Sequence, residues 1–310
     1  MAKVKKQHYV PQFLLRKFAS ASAMKAKLWA LDKRTKALRL SSVRNVAHEN
    51  QFYEYVDDDG SRLELEELMS GIDAIGAGIV AKILDRHSLM LSMNDRIWLS
   101  YFVACQMSRT PMTRGDMENL RKMIVHKWGP DICAEGDDRP IGDYGPEDAK
   151  RSSLVHIQVV PEFAKILQKK VWTLSEAPPG RDFIIGDNPV TRHNMLDRWP
   201  RGNLGLNNKG IELYMPLSPR LSVHVICPAL AEAACLTPDI SDEYLSAIKN
   251  GTPVKLKPEN VEFANSLQVI WAERFVFGRH QSDLEMPLEM LRTNPELRDG
   301  PGVRQRPEDA

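Results

Sequence analysis

The spacing of apolar residues along the chain changes twice, from short mixed elements to long helices and then to short strands. Residues 9–18 place Phe13, Leu14, Leu15 and Phe18 at helical intervals, and Pro11 suits a first helical turn, where its missing N–H is no loss. His8 then stands just before a helix N-terminus, a position where backbone N–H groups favour an anion. Residues 27–33 alternate as a strand, Thr35-Lys36 turns the chain, and 38–40 return. A further short strand is expected over 51–56, ended by Asp57-Asp58-Asp59-Gly60. From 62 to 87 the residues Leu63, Leu68, Ile72, Ile75, Ile79, Ile83 and Leu84 fall at three- and four-residue spacing, which predicts a long helix. Gly71, Gly76 and Gly78 weaken it, each by up to about 1 kcal/mol relative to Ala, or else admit a close neighbouring helix.

A second helix is expected from a Ser92 or Asn94 cap to Ser108, ended near Pro111, and a third over 116–128. Residues 129–145 concentrate Gly, Pro and Asp and read as loop, and a long helix over 146–170 follows. After that come short strands at 171–174, 182–185, 211–215, 221–226 and 274–277, with turns at Gly186-Asp187-Asn188-Pro189 and Pro216-Leu217-Ser218-Pro219. Two helices, 241–249 and 258–273, interrupt them. The pattern is α+β: a helical middle layer packed on a mainly antiparallel sheet built largely from the C-terminal half. We expect a single domain over 1–296, with a subdomain boundary near 129–145 and a flexible tail over 297–310.

The apolar and charged fractions, 43% and 27%, are those of a globular protein, and the formal net charge is only +1. That average hides an asymmetry. Residues 1–40 contain eleven Lys and Arg against Asp32 alone, so a basic face near the N-terminus can attract phosphates or simply be solvated. The four cysteines form no CxxC pair, which argues against a zinc site and, with no signal peptide, for free thiols in a cytoplasmic setting. No apolar run approaches the length that spans a bilayer. GxGxxG, Walker, HExxH, GxSxG and kinase signatures are all missing.

The opening His8-Tyr9-Val10-Pro11-Gln12-Phe13, with Leu15 and Phe18, resembles the start of an uncharacterised bacterial family, the domain of unknown function 4238. Arg109-Thr110-Pro111, Asp187-Asn188-Pro189-Val190, Pro216-Leu217-Ser218-Pro219, and Asn265 ahead of Arg274-Phe275-Val276 continue the resemblance in order over roughly 7–280. The chain departs from it at Leu14, where the family often has Tyr, and at Gly186, where Ser is common. The resemblance marks positions and implies no reaction.

Several of these positions carry candidate chemistry. His8 titrates near neutral pH and suits a general acid/base or a phosphate ligand, with Gln12 one turn on to orient it or to contact the substrate; the alternative is a brace for the first helix. Asp187 is a metal ligand or histidine partner, or a self-capping turn residue. Arg109, with Lys6 or Arg16, forms an anion clamp, or Arg109 pairs with a buried carboxylate. Asn265 contacts substrate or braces a turn such as 216–219. Glu64, Glu66 and Glu67 read as the acidic start of a helix, and His48-Glu49 lacks a third metal ligand at suitable spacing. The leading expectation is a hydrolase acting on a nucleotide or nucleic acid, His8 serving as acid/base, with a divalent metal ion, if any, on Asp187. The alternative is a non-catalytic binding module whose basic N-terminal face meets nucleic acid or an acidic partner.

Overall fold

The computed structural model describes residues 6–20, 26–56, 60–196, 204–235 and 241–301. Lys3, Lys5 and Lys25 of the eleven basic residues in 1–40, the Asp57-Asp58-Asp59 run, the side chain of Cys235 and residues 302–310 of the expected tail lie outside the described residues.

The first part of the chain builds β1 (Lys6–His8), α1 (Gln12–Lys17), β2 (Lys27–Asp32), β3 (Leu38–Ser42), β4 (His48–Asn50), β5 (Glu54–Val56) and β6 (Arg62–Glu64). Helices α2 (Glu66–Arg86), α3 (Met93–Ser108), α4 (Pro111–Trp128), α5 (Pro146–Val155) and α6 (Val160–Gln168) follow. Then come β7 (Val171–Glu176), β8 (Ile185–Gly186), β9 (Thr191–Asn194), β10 (Ile211–Pro216) and β11 (Leu221–Ile226). The last elements are α7 (Pro228–Cys235), α8 (Ser241–Asn250), β12 (Pro253–Lys255), α9 (Pro258–Trp271), β13 (Phe275–Gly278) and α10 (Glu285–Thr293).

The fold is α+β. One sheet has the order β12-β7-β11-β10-β9 and is antiparallel except where β12 runs parallel to β7. A second, β3-β2-β13-β8, joins the N-terminal hairpin to strands from late in the chain. The main hydrophobic core runs from Val10, Leu14 and Phe18 through Ile79, Ile83 and Phe102 to Leu174, Leu213 and Val223. A separate cluster of Leu31, Val269, Val276, Leu284, Leu291 and Leu297 fixes α10 and the turn after it.

Four local departures from the sequence pattern have physical causes. The opening enters as a strand, β1, paired antiparallel with β4, and α1 begins only after Pro11. Residues 62–64 pair with β5 before the long helix starts at Glu66. The expected helix over 146–170 breaks at a 3-10 turn, His156–Val159, just ahead of Pro161, whose ring cannot donate into a continuing ladder. The strand expected over 182–185 shrinks to Ile185–Gly186, because Phe183 N–H bonds Pro219 O and Ile184 N–H bonds the Asn265 side chain instead of a neighbouring strand.

Candidate functional site

The opening segment is held by side chains reading its backbone. Gln7 is buried; its Oε1 accepts the Tyr53 N–H at 2.7 Å and its Nε2 donates to Glu54 Oε1 at 3.1 Å. Tyr53 Oη donates to His8 O at 3.1 Å, and Gln106 Nε2 donates to Tyr9 O at 2.8 Å. Gln106 is itself oriented by Arg109, whose Nε and Nη2 reach Gln106 Oε1 at 3.1 and 2.8 Å. The same Nη2 meets Asp73 Oδ1 at 2.5 Å. Arg109 is therefore a buried cation paired with a carboxylate from α2, and its Nη1 makes no hydrogen bond within the protein. Burial works against its charge, but Asp73 holds the guanidinium firmly protonated.

A cavity of about 360 Å³ opens beside this frame, lined in part by Lys6, His8, Gln12, Tyr53, Glu66 and Asp73. Arg16 Nη2 donates to Gln12 Oε1 at 3.0 Å, which fixes the amide so that its Nε2 faces His8 Nδ1 at 3.4 Å. The neutral imidazole then carries its proton on Nε2, a buried nitrogen that makes no well-formed hydrogen bond. Burial, followed by the neighbouring His48, pulls His8 from 6.5 down to about 4, although the carbonyls of Val43 and Arg44 oppose the shift. His48 is its cross-strand partner, with ring centroids 5.3 Å apart. Glu66 moves the other way: burial and then Asp73 raise its carboxyl, and its Oε2 is also buried and unpartnered.

His8, Gln12 and Arg16 thus form one hydrogen-bonded chain, and Arg109 reaches the same cavity through Asp73. Asp187 and Asn265 do not line it. Asp187 is buried, and its two oxygens accept the backbone N–H groups of Glu273, Arg274 and Phe275 at 2.7, 2.8 and 2.8 Å, capping the turn between α9 and β13. Burial still outweighs those donors and Lys33, so its carboxyl lies above the usual range. The opening residue that senses this carboxylate is Tyr9, whose hydroxyl is pushed up by burial and then by Asp187. Asn188 ties the same turn to the end of the middle helices, accepting from Thr110 Oγ1 at 3.3 Å and donating to Trp271 O at 3.3 Å. Asn265 does brace a turn, but at Asp182 O and Ile184 N rather than at 216–219.

Sequence reasoning passed over Asp73, Tyr53 and Gln106. Asp73 shares its face of α2 with Glu66 and Ser70, so the spacing marks it as one polar residue among several and does not name Arg109 as its partner. Among the described residues no group of three His, Cys, Asp or Glu is disposed to hold a metal ion, and no helix is long and apolar enough to cross a membrane. A family model described as "Protein of unknown function (DUF4238)" matches residues 6–282. No curated protein and no solved structure matches the chain.

Proposed function

The chain belongs to this family of proteins of unknown function, and we propose that its opening segment builds a binding pocket for a small uncharged ligand rich in hydroxyl or amide groups, such as a nucleoside. The observation that carries this is a pair of residues lining one cavity, His8 and Glu66, each with a buried polar atom, Nε2 and Oε2, that makes no well-formed hydrogen bond within the protein. A buried polar atom without a partner is costly, and a ligand that supplies the missing bonds recovers that cost. Charge supports an uncharged ligand. Of the charged residues lining the cavity, Lys6 stands against Glu66 and Asp73, so the lining itself offers a phosphate no net positive field, and the His8 imidazole is neutral at pH 7.

Saturation-transfer NMR with adenosine, AMP and a short oligonucleotide tests the reading. Adenosine is expected to bind, AMP more weakly, and a His8→Phe chain neither. Preference for AMP, or adenosine binding that survives His8→Phe, overturns it.

A second reading is favoured by one observation, the opposite displacement of His8 and Glu66 in a shared cavity, which is how acid/base pairs are set up. In it the chain hydrolyses a phosphate-bearing substrate such as a nucleotide, with His8 and Glu66 exchanging protons. Asp187 takes no part, since both its oxygens are engaged by backbone amides. Turnover of bis-p-nitrophenyl phosphate, with or without magnesium, that disappears in Glu66→Gln would support it. The nucleic-acid-binding alternative is weakened because Arg34 and Arg39 of the basic stretch face Glu273 and Asp32, at 3.8 and 4.0 Å. A steep salt dependence of oligonucleotide binding would restore it.

A further inference from the structure

The five-stranded sheet carries a second cavity, of about 430 Å³, on the face turned toward α9. Strand alternation puts every second side chain of β10 and β11 into it: Glu212 and Tyr214 from one, Ser222 and His224 from the other. Tyr214 and His224 are direct cross-strand partners, and their rings stack with centroids 4.1 Å apart. Glu212 sits opposite His193 of β9, whose ring meets Phe263 edge-on at 5.0 Å. The Glu212 carboxylate is 6% exposed, and its Oε1 receives two bonds, from His224 Nε2 at 3.1 Å and from Tyr214 Oη at 3.3 Å.

That arrangement orients a buried carboxyl group through two hydrogen bonds on one oxygen. Among the described residues lining the cavity there is no lysine and no arginine; Ser175 and Asn260 add neutral polar groups, and Met195, Leu256, Phe263 and Ala264 are among its apolar ones. A carboxylate removed from water calls for a cation, and aromatic faces attract one. We propose that this cavity binds a small organic cation, a primary amine on an apolar body, with its ammonium against Glu212 and its body against Phe263.

Calorimetric titration of the full chain with 2-phenylethylamine, 2-phenylethanol and 3-phenylpropionate tests this, because the three share a body and differ in charge. The amine is expected to bind about tenfold or more tightly than the alcohol, as a charge-assisted bond to a buried group implies, and the carboxylate not at all. Glu212→Gln keeps the side-chain size and should abolish the preference for the amine over the alcohol. Equal or tighter binding of the alcohol or the carboxylate overturns the proposal, as does no amine binding in the millimolar range. Loss of amine binding in Glu66→Gln but not in Glu212→Gln would place it at the first cavity and overturn the assignment. If Glu212→Gln does not fold, the ligand series on the unaltered chain still decides.

Discussion

At the scale of single residues, His8 and Asp187 show what burial does to a titratable group. The His8 imidazole falls from 6.5 to about 4 in the folded chain, chiefly through burial and then through His48. Between those values the unfolded chain binds a proton that the native chain refuses, so stability present above pH 6.5 is lost as pH falls toward 4. With the ring only half-buried, solvent screening reduces the effect to the order of 1 kcal/mol. Urea denaturation at pH 7 and pH 4.5 should therefore show a smaller pH penalty in His8→Phe than in the unaltered chain. Asp187→Ala leaves three part-buried N–H groups at 273–275 without this acceptor. We expect a loss on the order of 3 kcal/mol by chemical denaturation, and a loss below 1 kcal/mol would contradict the capping role. The sequence marked both residues through their setting, His8 in a distinctive segment and Asp187 at a turn. It did not reveal what they touch, because every partner of Asp187 is a backbone group more than eighty residues away.

At the scale of elements, the three glycines of α2 separate cleanly. A Cβ on Gly76 would lie 2.6 Å from Phe102 Cδ2 on α3, whereas Gly71 and Gly78 face nothing within 4 Å. Gly76→Ala should cost about 1–3 kcal/mol through overpacking, relieved by Phe102→Leu, while Gly71→Ala and Gly78→Ala should each stabilise by up to about 1 kcal/mol. Thermal melts of the four variants check the contrast. Long helices were legible because their period repeats many times. The three-residue strands β1, β4 and β6 were not, since so short a run shows no alternation to read, whereas β5 falls within the strand expected over 51–56. The break at His156–Val159 hid for the opposite reason, an apolar pattern that continues across a proline. The second cavity was written as alternation, Glu212 and Tyr214 then Ser222 and His224 between buried aliphatic residues, and the strands were read without asking what their polar face meets.

At the scale of the whole molecule, the opening segment, α2 and α3 are joined through Arg109, which bonds Gln106 and Asp73 while Gln106 bonds Tyr9 O. Arg109→Met strands Asp73 and releases Gln106, for an expected loss of roughly 3–5 kcal/mol. Arg109→Lys should not restore it, because a point charge cannot serve both partners as a planar fork does. Amide exchange locates the damage: protection at Tyr53, whose N–H bonds Gln7, should fall while β10 and β11 keep theirs. The α+β class and the order of most elements followed from periodicity, but the joints between regions did not, since they rest on single polar side chains. The β2–β13 pairing has a consequence for synthesis. Asp32 and Arg274, bonded in the finished sheet, are 242 residues apart, so β2 leaves the ribosome long before its partner exists. At ordinary elongation rates that wait lasts roughly 10–50 s. Through it the half-made hairpin offers an unpaired strand edge to any neighbour, so the nascent chain, rather than the finished protein, is the form most in need of a chaperone.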